Sequence, residues 1–259
     1  MKDLPSINWT GFGTLVRSEI ERFLRIATQT LIAPWITALL YVFIFGSVVG
    51  SKIEEIEGVR YVDFALPGIL MLSLVTTAFA QSSTSLYFRR FAKHIEELLV
   101  APIANGTLIA AFLLGAIVRG IIVAIGVLCV AVLFGAANFE HLFLFLFYIV
   151  GVGSIFGLLG IVVGLWAKGF EQLNVLTVFV ITPLLFLGGV FYSITMLPPV
   201  MQTAILFNPL FYFVDGIRYS MIGVAEGNLI LGAALIIGLN LALFGWVWYL
   251  FRVGYGIRS

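Results

Sequence analysis

NGTLIAAFLLGAIVRGIIVAIGVLCVAVLF, residues 105–134, carries a single charged side chain, Arg119, in its whole length. A bilayer core about 30 Å thick is crossed by roughly 20 apolar helical residues. This stretch is therefore long enough to span with a strong tilt or to run on beyond the hydrocarbon. Five further stretches read the same way: about 31–49, 64–86, 142–166, 173–192 and 229–251, with edges good to a few residues. Six spans predict an all-α integral membrane protein. The composition agrees, with 61% hydrophobic and 10% charged residues and a mean hydropathy of +1.13 over 259 residues. Soluble domains carry about a quarter charged residues, so this chain cannot cover a water-facing surface, and no stretch is polar enough to form a second domain.

A seventh apolar stretch, 194–224, differs in kind. Pro198, Pro199, Asn208, Pro209, Asp215, Gly216 and Arg218 interrupt it, so neither half is long enough to cross. It reads as two short helices that dip into the membrane and return, which is tolerable only where protein or a watery cavity covers the broken backbone.

Basic residues mark the cytoplasmic side. With six spans, the termini and the 87–104 and 167–172 loops share one side and hold ten of them: Lys2, Arg17, Arg22, Arg25, Arg89, Arg90, Lys93, Lys168, Arg252 and Arg258. The other side holds three, Lys52, Arg60 and Arg218. Both ends are expected in the cytoplasm. Glu19, Glu21, Arg22 and Arg25 stand where a cleavable signal would need an apolar core.

Two cytoplasmic segments look like more than connectors. In 9–27, Trp9, Phe12, Val16, Ile20, Phe23 and Ala27 recur at helical spacing, while Arg17, Glu21 and Arg25 stand four apart on the other face. Such an amphipathic helix lies in the membrane interface. Residues 88–100 read FRRFAKHIEELLV, with Phe91, Ile95, Leu98 and Leu99 on one face and Arg89, Arg90, Lys93, Glu96 and Glu97 on the other; Pro102 stops the segment. It is either a solvated loop obeying the charge rule or a docking helix.

The chemistry that is missing narrows the function. There is no GxxxxGK[ST] loop to cradle phosphates, no HExxH and no CxxC, so no nucleotide, metal or other cofactor is expected on this chain. The two histidines, His94 and His141, fall near opposite membrane faces. Net charge is +1, which gives no reason to expect nucleic-acid binding. The spans hold no Asp or Glu at mid-depth, where ion-coupled transporters keep the carboxylates that carry their coupling. The energy source is therefore expected on a partner. Arg119 needs a companion in the membrane and either lines a polar path or is purely structural. Gly153, Gly157, Gly160 and Gly164 share one helix face and allow close packing, within the subunit or between copies. Gly188, Gly189 and Phe191 at the outer end of the fifth span suit a flexing gate or an aromatic interface anchor. Asp215 and Arg218, three apart, could pair with each other.

Three stretches in order resemble one known family, the ABC-2 type permeases. They are RRFAKHIEELLVAPI (89–103), TPLLFLGGVFYSITMLPP (182–199) and NPLFYFVDGIRYSMIG (208–223). With the six spans and the N-terminal helix, the chain is similar to the small bacterial members without a large extracellular domain. The resemblance implies a single domain over 1–259, in the bacterial inner membrane. It implies a homodimer of permeases, or a heterodimer with a close relative, surrounded by lipid and docked on two ATP-binding-cassette subunits that hold ATP and Mg. In the family, 88–100 would be the coupling helix, with Arg89, Arg90, Lys93, Glu96, Glu97 and Leu98 meeting the ATPase. The 9–27 segment would be the connecting helix with Arg17, Glu21 and Arg25. The 194–224 segment would be re-entrant helices at the outer end of a path bordered by Arg119, Gly188, Gly189, Phe191, Asn208, Pro209, Asp215 and Arg218. The cargo would be a drug, lipid or lipid-linked glycan. Rival readings are an ion-coupled secondary transporter and a membrane scaffold.

Overall fold

The computed structural model describes residues 8–53, 55–93, 104–136 and 139–256. Their elements are helix α1 (Trp9–Arg25), helix α2 (Thr28–Val49), a two-stranded hairpin β1 (Glu55–Ile56) and β2 (Val59–Arg60), then helices α3 (Tyr61–Phe91), α4 (Asn105–Leu133), α5 (Leu142–Trp166), α6 (Gln172–Phe186), α7 (Pro199–Ile205), α8 (Pro209–Ile222) and α9 (Leu229–Val253).

Five of these helices, α2, α3, α4, α5 and α9, are long and apolar enough to cross a membrane. The sixth expected span, 173–192, takes another form. Its helix is the shorter α6, and beyond Phe186 the chain runs irregularly through Gly189, whose φ of +77° only glycine holds without strain. At about 1.5 Å per residue, so short a helix falls well under the hydrocarbon thickness. The chain nonetheless passes from one end of the bundle to the other along α6. Phe170, just before it, stacks near Tyr87 and Phe88 at the end of α3, while Phe191, just after it, accepts a 3.0 Å bond from the Tyr61 hydroxyl at the start of α3.

The interrupted stretch gives α7 and α8, bent by 87° at the Leu206–Asn208 link. Asn208 caps α8 by accepting from the Leu210 amide at 3.0 Å, and Pro209 takes the first helical position, where its missing N–H costs nothing. The pair leaves and returns at the same end of the bundle: the Ile194 amide before α7 donates to Glu226 after α8 at 3.0 Å.

Helix α3 is the axis of the structure, buried along most of its length. Its polar residues survive there because Thr76, Thr77 and Thr84 return their hydroxyls to carbonyls one turn back. The glycine face of α5 packs against it within the chain. A Cβ on Gly160 would press on the Phe79 carbonyl, and one on Gly164 would come within 2.9 Å of the Ser83 carbonyl. Without glycines the two backbones could not approach this closely. By contrast α2 and α9 expose most of their apolar surface. Helix α2 touches α4 through Trp35, whose indole sits where a Cβ on Gly126 would be.

Candidate functional site

At the bundle end where α2 begins and α3 and α5 finish, one carboxylate organises three helices. Glu19 of α1 is 1% exposed. Its Oε1 accepts from Arg89 Nε at 3.1 Å and Nη2 at 2.8 Å, and its Oε2 accepts from the Ser85 hydroxyl at 2.6 Å, Gln81 Nε2 at 3.3 Å and Arg22 Nη2 at 3.3 Å. Arg89 also donates to Ser18 at 2.8 Å, and its guanidinium lies over the Phe112 ring of α4. The fit needs a glycine on α4, since a Cβ on Gly115 would stand 2.8 Å from that of Glu19. A buried carboxylate this well supplied with donors is held, whereas an unpaired one would cost several kcal/mol.

The register along α4 sets the depth of this joint. Leu15 packs with Leu108 and Ala111, Glu19 with Gly115, and Thr30 at the start of α2 accepts through its carbonyl from Arg119 Nη2 at 3.3 Å. Arg119 Nη1 donates to Gln81 Oε1 at 3.1 Å. Arg119 thus belongs to the level where the first span begins, and it is tied to the Glu19 joint through Gln81. The apolar stripe of α1 packs inward through Phe12, Val16, Ile20 and Phe23, joined by the buried Leu15 and Glu19, while Trp9 at its start is exposed. Arg17, Glu21 and Arg25 form an exposed ladder with N···O distances of 2.7 and 4.0 Å. The Arg17 hydrogen bond and charge hold the Glu21 carboxyl below the usual carboxylate range.

The residues expected to face a partner divide. Arg89 turns inward to Glu19. Arg90 donates to the carbonyls of Gly164 at 2.6 Å and Ala167 at 3.1 Å, closing the end of α5. Arg89 and Arg90 are the last turn of α3, which runs unbroken to Phe91 before the chain turns at Lys93 with φ of +58°. Glu96, Glu97 and Leu98 lie outside the described residues. Whatever follows Lys93 therefore hangs from a helix end that is bolted to α1 by Arg89 and to α5 by Arg90.

A second polar cluster sits at the opposite end. Arg218 of α8 is fully buried; it donates to Gly189 O at 2.5 Å and to Glu226 Oε2 at 3.2 Å, with its guanidinium 3.8 Å from the Phe64 ring centre. Asp215 accepts instead from the amides of Glu226 and Gly227, at 2.8 and 2.9 Å. The expected Asp215–Arg218 pair is therefore replaced by Arg218–Glu226, because the 226–227 turn folds back over α8 and offers each group a closer partner. Burial raises the Glu226 carboxyl above its ordinary value, opposed by Ser193 and Arg218. Glu57 at the hairpin tip accepts from Ser193 and Thr195, so the hairpin, the 187–195 link and the 223–228 turn close over one another. Asn208 joins this end to α6 by donating to Leu184 O at 2.6 Å. Gly188 packs near Leu210, and Phe191 stacks on Phe45 of α2 at 4.1 Å, in contact distance of Tyr41 and Phe186.

Sequence reasoning missed Glu19, Gln81, Ser85 and Glu226. A signal for Glu19 was present: it lies on the same helical face as Leu15 and Phe23, four residues from each, where a charge needs a partner. Among the described residues the buried carboxylates Glu19, Asp63 and Asp215 all have protein donors.

A family model for the ABC-2 type transporter matches residues 10–222. The chain is 36% identical over 251 residues to the inner membrane transport permease YadH of Escherichia coli K12, covering 97% of this chain and 98% of that protein. It is 27% identical over 219 residues to nodulation protein J of Rhizobium leguminosarum bv. trifolii, covering 84% of this chain and 82% of that protein. The counterpart of that protein in Rhizobium meliloti is 25% identical over 221 residues.

Proposed function

The chain belongs to the ABC-2 type transporter family, and on that premise we propose that it is the membrane-spanning, non-hydrolysing subunit of an ATP-driven exporter. Two copies, or one copy and a close relative, would stand on two ATP-binding subunits, with ATP and Mg held on those partners. Both termini would face the cytoplasm of a bacterial inner membrane, as the bias of basic residues and the likeness to an E. coli inner membrane permease support. The cargo would be amphipathic or apolar, entering a path between copies and leaving beneath α7 and α8.

The observation that carries this reading is the Glu19 joint. A motor below the membrane must act on something rigid. Helix α3, from whose end the 94–103 segment continues, is fixed at that end to α1 by Glu19–Arg89 and to α5 by Arg90, and deeper in to α4 by the Gln81–Arg119 bond. A push at that segment reaches three spans at once. Closure of the ATPase dimer would then shift the population between inward-open and outward-open arrangements. An ion-coupled mechanism finds less support, because the buried carboxylates already have protein donors. Cross-linking tests the proposal: with Cys129 replaced by serine, a cysteine at Leu98 should capture the ATP-binding subunit and lose reactivity when nucleotide is bound. Transport intact after that cross-link, or no adduct from a complex that contains the ATPase, would remove 88–100 as the point of coupling.

A further inference from the structure

Two guanidinium groups, those of Arg22 and Arg89, bond the carboxylate of Glu19, and a third, Arg119, joins them through Gln81, which leaves a formal surplus of two positive charges on one carboxylate among the described residues. Two of the three are not fully used. Arg22 Nε and Arg119 Nε are buried N–H donors without a partner among the described residues, although buried donors are nearly always paired. They belong to one locus, since Arg22 Nη2 bonds the backbone carbonyl of Gln81 at 3.2 Å and Arg119 Nη1 bonds its side-chain oxygen at 3.1 Å. Arg119 is 92% buried by its 8% exposure, while the Arg22 side chain keeps 31% exposure and opens the locus to the surface. The two unpaired Nε donors are themselves shielded, but extra cations behind a partly exposed Arg22 are the constituents of an anion site.

We propose that Arg22, with the charges of Arg89 and Arg119 behind it, binds the phosphate of an anionic lipid headgroup at the junction of α1 and α2. Phosphate chemistry follows from the donor set: planar guanidinium groups present N–H donors to phosphate oxygens and keep their charge at any ordinary pH. A lipid source follows from position. The Arg119–Thr30 bond puts the locus at the level where the first span starts, which is the level of headgroups. Leu24, Ile26 and Ile32 are exposed beside it at the same junction, an apolar surface suited to the acyl chains of the same lipid and of no use to a free anion. Basic pockets between helices at a membrane face hold acidic headgroups by this combination. The bound lipid would fasten α1 to α4 at the Glu19 joint. The inference stands on these residues and does not depend on the transport reading.

The test uses the full chain in neutral detergent, titrated with phosphatidylglycerol, with phosphatidylcholine and with inorganic phosphate, and bound lipid is counted by native mass spectrometry. The wild type should prefer phosphatidylglycerol. Arg22→Gln should weaken that binding about tenfold, the loss of one charge-assisted contact, and Arg119→Gln should weaken it less, through lost charge alone, while Arg17→Gln on the exposed face of α1 should leave it unchanged. Arg22 is partly exposed, so its variant keeps the experiment decisive even where Arg119→Gln does not fold. Equal binding of the two lipids, or wild-type affinity in Arg22→Gln, overturns the proposal. Complete competition by inorganic phosphate overturns the lipid source and leaves a site for free anions.

Discussion

Replacing Glu19 with glutamine keeps the shape of the side chain and deletes its charge. Glutamine can still accept from Ser85 and Arg22 through an oxygen at the Oε2 position, but its amide nitrogen then faces Arg89, donor against donor. Removing one partner of a buried ion pair costs about 3–5 kcal/mol, because the other charge is left behind. The Arg89 side chain is 17% exposed and that of Arg22 31% exposed, so water relieves part of this. A loss of about 3 kcal/mol is expected for Glu19→Gln. The same reasoning gives a similar loss for Arg89→Gln. The double variant should lose much less than the sum, with a coupling energy of about 2 kcal/mol. The assay is equilibrium unfolding of the purified chain by titrated SDS in mixed micelles, followed by circular dichroism. Losses below about 1 kcal/mol, or effects of the two single changes that simply add, would show that the joint is not a unit.

Other outcomes follow from the structure and the sequence. Gly160→Ala should destabilise by about 1–3 kcal/mol, since its Cβ would press on the Phe79 carbonyl, which cannot move aside as a side chain could; the same titration measures it. Arg218→Gln should cost about 3–5 kcal/mol by stranding Glu226, whereas Arg25→Gln on the exposed ladder should be nearly neutral. Burial holds the Glu226 carboxyl above its ordinary 4.5, so the folded state keeps that proton more tightly than the unfolded chain. Its contribution to stability should be complete below pH 4.5 and fade as pH rises through the raised value, and Glu226→Gln should abolish that slope in thermal unfolding followed against pH. The charge reversal Lys93→Glu with Glu97→Arg should abolish ATP-driven transport in proteoliposomes while the spans keep their wild-type unfolding midpoint.

What was legible in the sequence was what periodicity and composition encode. The five long helices, the break at Pro198–Pro199 and Asn208–Pro209, and the helix at 9–25 all follow from runs of apolar residues and from the backbone limits of proline. The close approach of α5 to α3 was latent in the spacing of four glycines, although that α3 is what they meet depends on the tertiary packing. The failures share a cause. Which charge pairs with which depends on residues distant in sequence, so Arg218 finds Glu226 and Gly189 where the helical spacing had offered Asp215. Arg89 likewise finds Glu19, 70 positions away. Arg119, too, needed a companion that its own apolar stretch lacks, and its partners, Gln81 and the Thr30 carbonyl, lie on other helices. The short α6 was overestimated because Leu187, Val190, Phe191 and Tyr192 continue its apolar run while Gly188 and Gly189 end its helix. Hydropathy counts side chains and does not register that change of backbone.

The central claim is that this chain works only with a separate ATP-hydrolysing subunit. The most direct test is to purify it from its native membrane under mild detergent and to measure ATP hydrolysis by the complex and by the separated partner. The account predicts an ATP-binding subunit in one-to-one proportion, with hydrolysis that this chain alters and that Glu19→Gln uncouples from transport. A chain that purifies without any nucleotide-binding protein, and moves its cargo along an ion gradient with no ATP present, would contradict it.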